Sequence, residues 1–500
     1  MKPILECGAF ELAEQIRRQE RSVEEVVLAH IEEIEKWNPK INAVVENRFS
    51  EALEEARGCD RRIRDLVASG KTAELAKLPP LFGVPFTIKE MISVKGFRHT
   101  LGSIHRKDSR RNEDGTVVKR LKDAGGILLG TTNVPELGFW FECSNPVYGR
   151  TNNPYDLSRT AGGSTGGEAA IIGAGGSPIG VGSDIGGSIR MPVGFCGIFG
   201  HKPSNKIVPM TGHIPIYPED AANWGGDKYP LTVLGPLARK AADLYPMMQL
   251  LIGPDGIDPE TKKNFKLKPR VTDWTGKKVW ILPSPRIDGT GLTDKDIVEN
   301  VRTTGRYFEA MGATLKVMRD DYFREAVPLW FASLTRSKGR SFTETLTMGT
   351  SLSYTREFLQ ILRGRGQYTV PGLGASLLEV LSKKNADKIE DKRLANIEKL
   401  DRMKAELNHL LGEDSILILP NHPRVAPKHG APLLRPFDFV YTGIFNSLEL
   451  PATAGVSGTK DGLPISVQFI AGEGQDHMTL SAAEVLESAF GGWKKASLPS

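Results

Sequence analysis

The chain has 500 residues, 40% of them hydrophobic and 25% charged, with a formal net charge of only +5. That length holds one large domain or a few ordinary ones, with ample material for a core. Its Lys and Arg are interleaved with acids rather than striped, which argues against nucleic-acid binding. Four cysteines, Cys7, Cys59, Cys143 and Cys196, are scattered with no C-x-x-C pair. Reduced thiols in a cytoplasmic protein are therefore expected, rather than a disulfide framework or a zinc site. No apolar h-region stands near the N-terminus, and no run reaches the ~18 apolar residues of a spanning helix.

In chain order, residues 1–75 read as an N-terminal helical segment. Ser22 and Glu25 form a capping-box pattern ahead of Val26, Val27, Ile31 and Ile34, and Pro39 is expected to end that helix. A second helical run is expected from Glu46 to Leu66, with Arg61, Arg62 and Arg64 on a solvated face. From Leu81 the pattern changes. A strand from Val84 to Lys89, a helix from Thr116 to Ala124 and a short strand from Ile127 to Leu129 alternate, as in an α/β sheet with parallel strands. Thr132 to Pro146 reads as a loop feeding a site.

The stretch from Thr160 to Ser204 carries the chemistry. It sets two serines, Ser164 and Ser188, directly after glycine pairs. A small-residue helix from Ala169 to Ala174 and a strand from Pro178 to Gly182 would place one Gly-Gly-Ser loop at a helix start and the other at a strand end. A serine hydroxyl is a weak nucleophile until a base takes its proton. No histidine lies between Thr160 and Gly200. The backbone N–H groups of Ile185, Gly186, Gly187 and Ser188 are expected to form an oxyanion hole, which suits acyl transfer. A phosphate loop is the weaker reading, because neither G-x-x-x-x-G-K-[ST] nor a G-x-G-x-x-G between strand and helix is present.

Further on, Lys278 to Leu282, Ser415 to Leu419 and Leu463 to Ile470 read as strands. Asp294 to Met311, Asn385 to Leu411 and Thr479 to Phe490 read as helices. No linker divides residues 76–495, which are expected to form one α/β domain with a helical insertion around 320–385. The insertion is rich in aromatic and aliphatic residues with Arg356, Arg363 and Arg365 interleaved. It reads as packed helices beside an acyl pocket, in preference to a membrane-docking surface. Trp140, Trp330, Phe331, Phe358 and Phe445 are candidates for that pocket. His201, His422 and His429 sit near motifs, but the chain has no G-x-S-x-G elbow and no H-E-x-x-H, so structural or substrate-loop roles are expected.

Three strings carry a resemblance. They are the two Gly-Gly-Ser loops, Asp184 to Arg190 (DIGGSIR), and Phe195 to Pro203 (FCGIFGHKP). In these the chain resembles the amidase signature family of serine hydrolases. The resemblance implies a single large α/β domain whose mixed, mostly parallel sheet is covered by helices. It implies that Ser188 is the nucleophile, that Ser164 is a bridging serine held by a cis peptide, and that a strand lysine completes the triad. Leu81 to Glu90 supplies Lys89. It further implies substrate contacts at Gly138, Phe139, Thr165, Asp184 and Arg190, with no metal and no cofactor. Leu419 to His429, Arg435 to Phe445 and Gly491-Gly492-Trp493 are similar to the fatty-acid amide hydrolases of that family, particularly the second type. Two departures stand out: no transmembrane segment is seen, and Thr165 replaces the usual second serine.

The expected activity is hydrolysis of apolar acyl or aryl amides, with esters or carbamates as side substrates. The expected partner is a small-molecule amide, and a homodimer is compatible with the sequence. One alternative is the A subunit of a tRNA-dependent amidotransferase, whose usual string is not found between His201 and Arg239. Another is an inactive binding protein on the same fold, against which Lys89, Ser164 and Ser188 are all present.

Overall fold

The computed structural model describes residues 2–214, 231–336, 341–384 and 386–497. Asn385, the expected start of one helix, and residues 215–230, within the stretch between His201 and Arg239, lie outside them. Eleven strands form one sheet: β1 (Val44–Asn47), β2 (Pro85–Lys89), β3 (Ile127–Thr132), β4 (Ile179–Asp184), β5 (Phe199–Lys202), β6 (Val233–Ala238), β7 (Lys278–Ile281), β8 (Thr314–Val317), β9 (Ser415–Pro420), β10 (Ala452–Lys460) and β11 (Leu463–Ile470). Their order across the sheet is β1-β3-β2-β4-β6-β5-β10-β11-β9-β7-β8.

The sheet is mixed. The mostly parallel character expected of it is confined to two wings, β3-β2-β4 and β9-β7-β8. The strands between the wings, and edge strand β1, pair antiparallel. Strands β2, β3 and β4 are buried at every residue, so they read as near-continuous runs rather than alternating ones.

The N-terminal segment is not purely helical. After the helix Val23–Ile41 the chain enters β1, which pairs with β3 and makes the segment part of the sheet. Two β-branched valines, Val44 and Val45, open that strand. Ser22 Oγ accepts the Glu25 N–H at 3.0 Å, capping the helix as its sequence indicates. Pro39 does not end it: the helix runs to Ile41 and stops at left-handed Asn42. Pro39 and Glu35 are both exposed, and there the one carbonyl left without its N–H costs little.

Sheet geometry positions the site. In the parallel register Ile88 lies opposite Val181, so Lys89 at the end of β2 and Asp184 at the end of β4 emerge at the same edge. Ligands in such sheets gather outside the carboxyl ends of the strands. The loop carrying Ser164 leads into the helix Gly166–Ala174, which is buried throughout. Strand β4 approaches this loop so closely that a Cβ at Gly182 would lie 2.7 Å from Thr165 Oγ1.

Within 320–385 the described residues form the helices Ala326–Leu334, Phe342–Thr347, Tyr354–Leu362 and Val370–Lys384. The helix Tyr354–Leu362 buries none of its residues fully, and Phe358 is 56% exposed. Among the described residues no helix is long and apolar enough to cross a membrane.

The close approach at Gly182 yields a stability test. Gly182→Ala should cost about 1–3 kcal/mol by overpacking, read as a lower urea midpoint. Gly374→Ala, on a helix with open space around it, should leave the midpoint unchanged or raise it.

Candidate active site

Lys89 is fully buried, and its Nζ meets three hydroxyl oxygens: Ser164 Oγ at 2.7 Å, Ser183 Oγ at 2.9 Å and Thr165 Oγ1 at 3.1 Å. The peptide Gly163–Ser164 is cis. Burial lowers the Lys89 pKa to about 7, against the opposing pull of Asp184, Cys143 and Glu168. Nearby Glu168 is buried as well, and burial pushes its carboxyl up to about 8. The Thr132 hydroxyl bonds it at 2.8 Å and the Thr87 hydroxyl bonds its other oxygen.

The loop from Asp184 to Arg190 is braced from within. Asp184 Oδ1 accepts the Gly187 N–H at 2.7 Å and Arg190 Nη2 at 3.0 Å. Its Oδ2 accepts the Ile189 N–H at 3.1 Å and Arg190 Nε at 3.0 Å. Arg190 also reaches Thr442 O at 2.9 Å, Gln468 Oε1 at 3.1 Å and Asn446 Oδ1 at 2.6 Å. Burial works against a charged Asp184, yet Arg190 holds its carboxyl well below the usual carboxylate range.

These contacts correct the expected substrate roles of three residues. Asp184 and Arg190 are fully buried, and their polar atoms are spent on each other, on the backbone and on the side chains of Asn446 and Gln468. Thr165 is fully buried too; its hydroxyl donates to Ser183 O at 3.2 Å and serves Lys89. Gly187 leaves the expected oxyanion set, because its N–H is already taken by Asp184. At φ 112° it occupies a backbone region that side chains disfavour, and the Thr442 hydroxyl sits where a Cβ would be. The N–H groups of Ile185, Gly186 and Ser188 have no protein acceptor among the described residues.

Ser188 is 7% exposed and Ser164 3%. Thr165 N–H donates to Ser188 O at 3.1 Å, which ties the two serine loops together. Among the described residues no hydrogen bond joins the two seryl hydroxyls themselves. Gly138 lies against the bridging position: a Cβ there would stand 3.5 Å from Ser164 Oγ. Phe139 turns instead toward the insertion, its ring 4.6 Å from that of Phe342.

An aromatic wall flanks the Ser188 loop. A Cβ at Gly186 would lie 3.3 Å from Trp330 and 3.4 Å from Phe439. Trp330 Nε1 donates to Ile185 O at 3.3 Å, and its ring meets Phe439 edge-on at 4.7 Å. Phe331 is close to Phe437. Of the other pocket candidates, Phe445 is a core residue packed on Phe323, and Phe358 is on the exposed helix. Trp140 is half-buried and donates to Glu142. Ser183, Glu168, Phe439 and Thr442 were not singled out from the sequence. A polar side chain such as Ser183 or Glu168 in a buried segment of small and apolar residues is the signal that could have found the polar three, since a buried polar group needs a partner.

The histidines near motifs bond elsewhere. His201 bridges Thr453 at 2.8 Å and Asp476 at 3.1 Å, His422 bonds Arg424 O at 2.8 Å, and His429 bonds Leu157 O at 3.2 Å.

Buried Lys89 thus meets Ser164, and the Thr165 N–H ties the Ser164 and Ser188 loops together, an arrangement suited to amide hydrolysis. The chain belongs to the amidase family, whose model, described as Amidase, matches residues 25–480. It is 37% identical over 501 residues to fatty-acid amide hydrolase 2 of Homo sapiens, covering 98% of this chain and 90% of that protein. It is 29% identical over 502 residues to an acylamidase of Rhodococcus erythropolis, covering 96% of this chain and 95% of that one. The fold matches that of 6-aminohexanoate cyclic dimer hydrolase complexed with substrate, with a TM-score of 0.77 at 23% identity over 99% of each chain.

The brace around Asp184 is testable. Arg190→Leu should destabilise the protein by about 3–5 kcal/mol, because it strands a buried carboxylate. A substrate-contact role would instead raise KM with the urea midpoint unchanged.

Proposed function

We propose that this amidohydrolase cleaves apolar acyl or aryl amides through an acyl-enzyme on Ser188, with Ser164 as proton bridge and Lys89 as base. The observation that carries this reading is the hydroxyl shell of Lys89. A neutral amine offers two N–H donors and one lone pair. Thr165 spends its own proton on Ser183 O, so it accepts one N–H from Nζ. Ser183 Oγ accepts the second. The lone pair then faces Ser164 Oγ, the shortest of the three contacts at 2.7 Å, and Ser164 donates to it.

In the resting site the step from Ser188 to Ser164 is open. A substrate carbonyl seated at the Ile185, Gly186 and Ser188 N–H groups would bring Ser188 Oγ into line with Ser164. Ser188 Oγ then bonds the carbonyl carbon; its proton moves to Ser164, and the Ser164 proton moves to Nζ. Stabilisation of the developing oxyanion by fixed N–H groups is commonly the largest single contribution to such catalysis. The relay runs backwards to protonate the leaving nitrogen as the C–N bond breaks. Water, deprotonated by the same relay, releases the acid. Esters and carbamates present the same carbonyl to the same groups.

The apolar preference is supported by Trp330 and Phe439 beside the Ser188 loop, with Phe331 packed edge-on against Trp330. It is supported also by the names of the relatives, a fatty-acid amide hydrolase and an acylamidase. All four cysteines are free, which supports a reducing, cytoplasmic setting.

A fluorophosphonate should label Ser188, read by mass spectrometry of the intact protein and its peptides. Labelling of Ser164, or of neither serine, contradicts the assignment. Ser188→Ala should lose several orders of magnitude in kcat. Specificity should rise along an acyl series by about 0.8 kcal/mol for each methylene that leaves water fully. Acetamide or glutamine as the best substrate would contradict the apolar pocket.

Lys89→Ala should harm an amide more than its matched ester, because the amine leaves only when protonated and an alkoxide needs less help. Burial favours the neutral amine, so its fraction grows as pH rises through about 7. Wild-type kcat/KM should therefore climb from acid pH and level off above that point. Equal losses on both substrates, with the acid limb unchanged, would make Lys89 a structural residue.

A further inference from the structure

Glu136 lies two residues before Gly138, is 2% exposed, and is not used by the chemistry above. Its Oε2 accepts the Thr369 N–H at 2.8 Å and the Thr369 hydroxyl at 2.9 Å. Thr369 stands immediately before the helix Val370–Lys384, and its Oγ1 in turn accepts the Gly372 N–H at 3.2 Å. The first N–H groups of a helix have no partner within it, and here a carboxylate from the body of the protein and a threonine meet that need together. Glu136 Oε1 is buried without a hydrogen-bond partner. The carboxylate is thus held for one task, on one oxygen.

The residues around Glu136 divide between the same two bodies. Leu137 packs on Met91, Leu101 and Val134 on one side and on Leu346, Tyr368 and Leu373 of the insertion on the other. It holds a left-handed φ of 54° and is fixed by its N–H to Leu101 O at 2.7 Å. Gly138 faces Ser164 Oγ, and Phe139 meets Phe342 of the insertion. Tyr368, next to Thr369, bonds His105 at 2.8 Å. Residues 136–139 are therefore the joint between the insertion and the catalytic body, with the bridging serine on one side of it.

We propose that Glu136 is a positioning residue that latches the helix Val370–Lys384 to the loop carrying Gly138, and so holds the insertion in place to shape acyl binding beside Ser164. The link to acyl binding rests on the function proposed above; the latch itself rests on the contacts alone. Burial pushes the Glu136 carboxyl up to about 7. Glutamine, which keeps one acceptor oxygen and carries no charge, is therefore a close substitute near neutral pH.

The test compares octanoyl and acetyl p-nitroanilide with wild type, Glu136→Ala, Glu136→Gln and Thr369→Ala. Glu136→Ala should raise KM for the octanoyl substrate about tenfold, the loss expected for its two hydrogen bonds to Thr369, with kcat little changed. The acetyl substrate should be hydrolysed as by wild type. Glu136→Gln should restore the wild-type KM, and Thr369→Ala should raise it less than Glu136→Ala. Equal losses on both substrates, a fall in kcat alone, or glutamine no better than alanine would overturn the proposal. Hydrogen exchange at the amides of Thr369, Val370, Gly372 and Leu373 reads the latch without any substrate. It should quicken in Glu136→Ala and stay slow in Glu136→Gln, and unchanged exchange in the alanine variant overturns the latch. Wild type that cleaves neither anilide would refute the proposed substrate class, and exchange would then decide the latch alone. Thr369→Ala, at a half-buried position, carries both measurements if Glu136→Ala does not fold.

Discussion

Lys89 Nζ is enclosed by the hydroxyls of Ser164, Thr165 and Ser183, and among the described residues no carboxylate bonds it. A buried ammonium without a counter-ion is expensive, so burial lowers its pKa toward neutrality. Two carboxylates stand near enough to undo this, and the structure occupies both. Asp184 gives its charge to the bidentate Arg190. Glu168 is itself deeply buried, and burial pushes its pKa up to about 8, which favours its neutral form. Glycines on β4 make this packing feasible: Gly182 leaves room for Thr165, and Glu168 occupies the space beside Gly180. The arrangement favours a neutral amine by denying it water and a counter-ion at once.

The same brace that occupies Asp184 shapes the loop proposed to receive the substrate. Asp184 takes the Gly187 and Ile189 N–H groups and leaves those of Ile185, Gly186 and Ser188 for a ligand. Asn446, Thr442 and Gln468 hold Arg190 from the C-terminal half of the chain. Residues more than 250 positions apart are thus needed to set one loop. Accessibility is graded along the chain of groups, with Ser188 the most open, Ser164 less so and Lys89 closed. That order suits a relay which meets substrate at one end and a dry base at the other.

Much of this was legible in the sequence where local rules govern. The capping serine, the strand ending at Lys89, the glycine-flanked serines and the strand Leu463–Ile470 follow from periodicity, caps and composition. What escaped depends on partners distant in the chain. Ser183 is a strand residue until β2 sets Lys89 beside it, 94 positions away in sequence. Asp184 and Arg190 flank the serine, and a polar pair in that place reads alike whether it faces a substrate or itself. Strand β1 is four residues between two helices, too short for an alternating pattern to register. Strands β5 and β10 contain glycine and lie among buried neighbours, where β-propensity is weakest as a guide. Phe445 and Phe439 are equally aromatic; only packing separates a core ring from one beside the Ser188 loop.

The central claim is that Lys89 is a neutral amine in the resting protein, and it can be observed without any substrate. Lysine labelled with ¹³C at Cε, with the Lys89 signal assigned through Lys89→Met, can be titrated by NMR. The account predicts that the resonance absent from the variant titrates near 7, in the range that burial also gives Lys202 and below that of an exposed lysine. A Lys89 signal that stays that of an ammonium until pH ~10, the reference range of an exposed lysine, would contradict it.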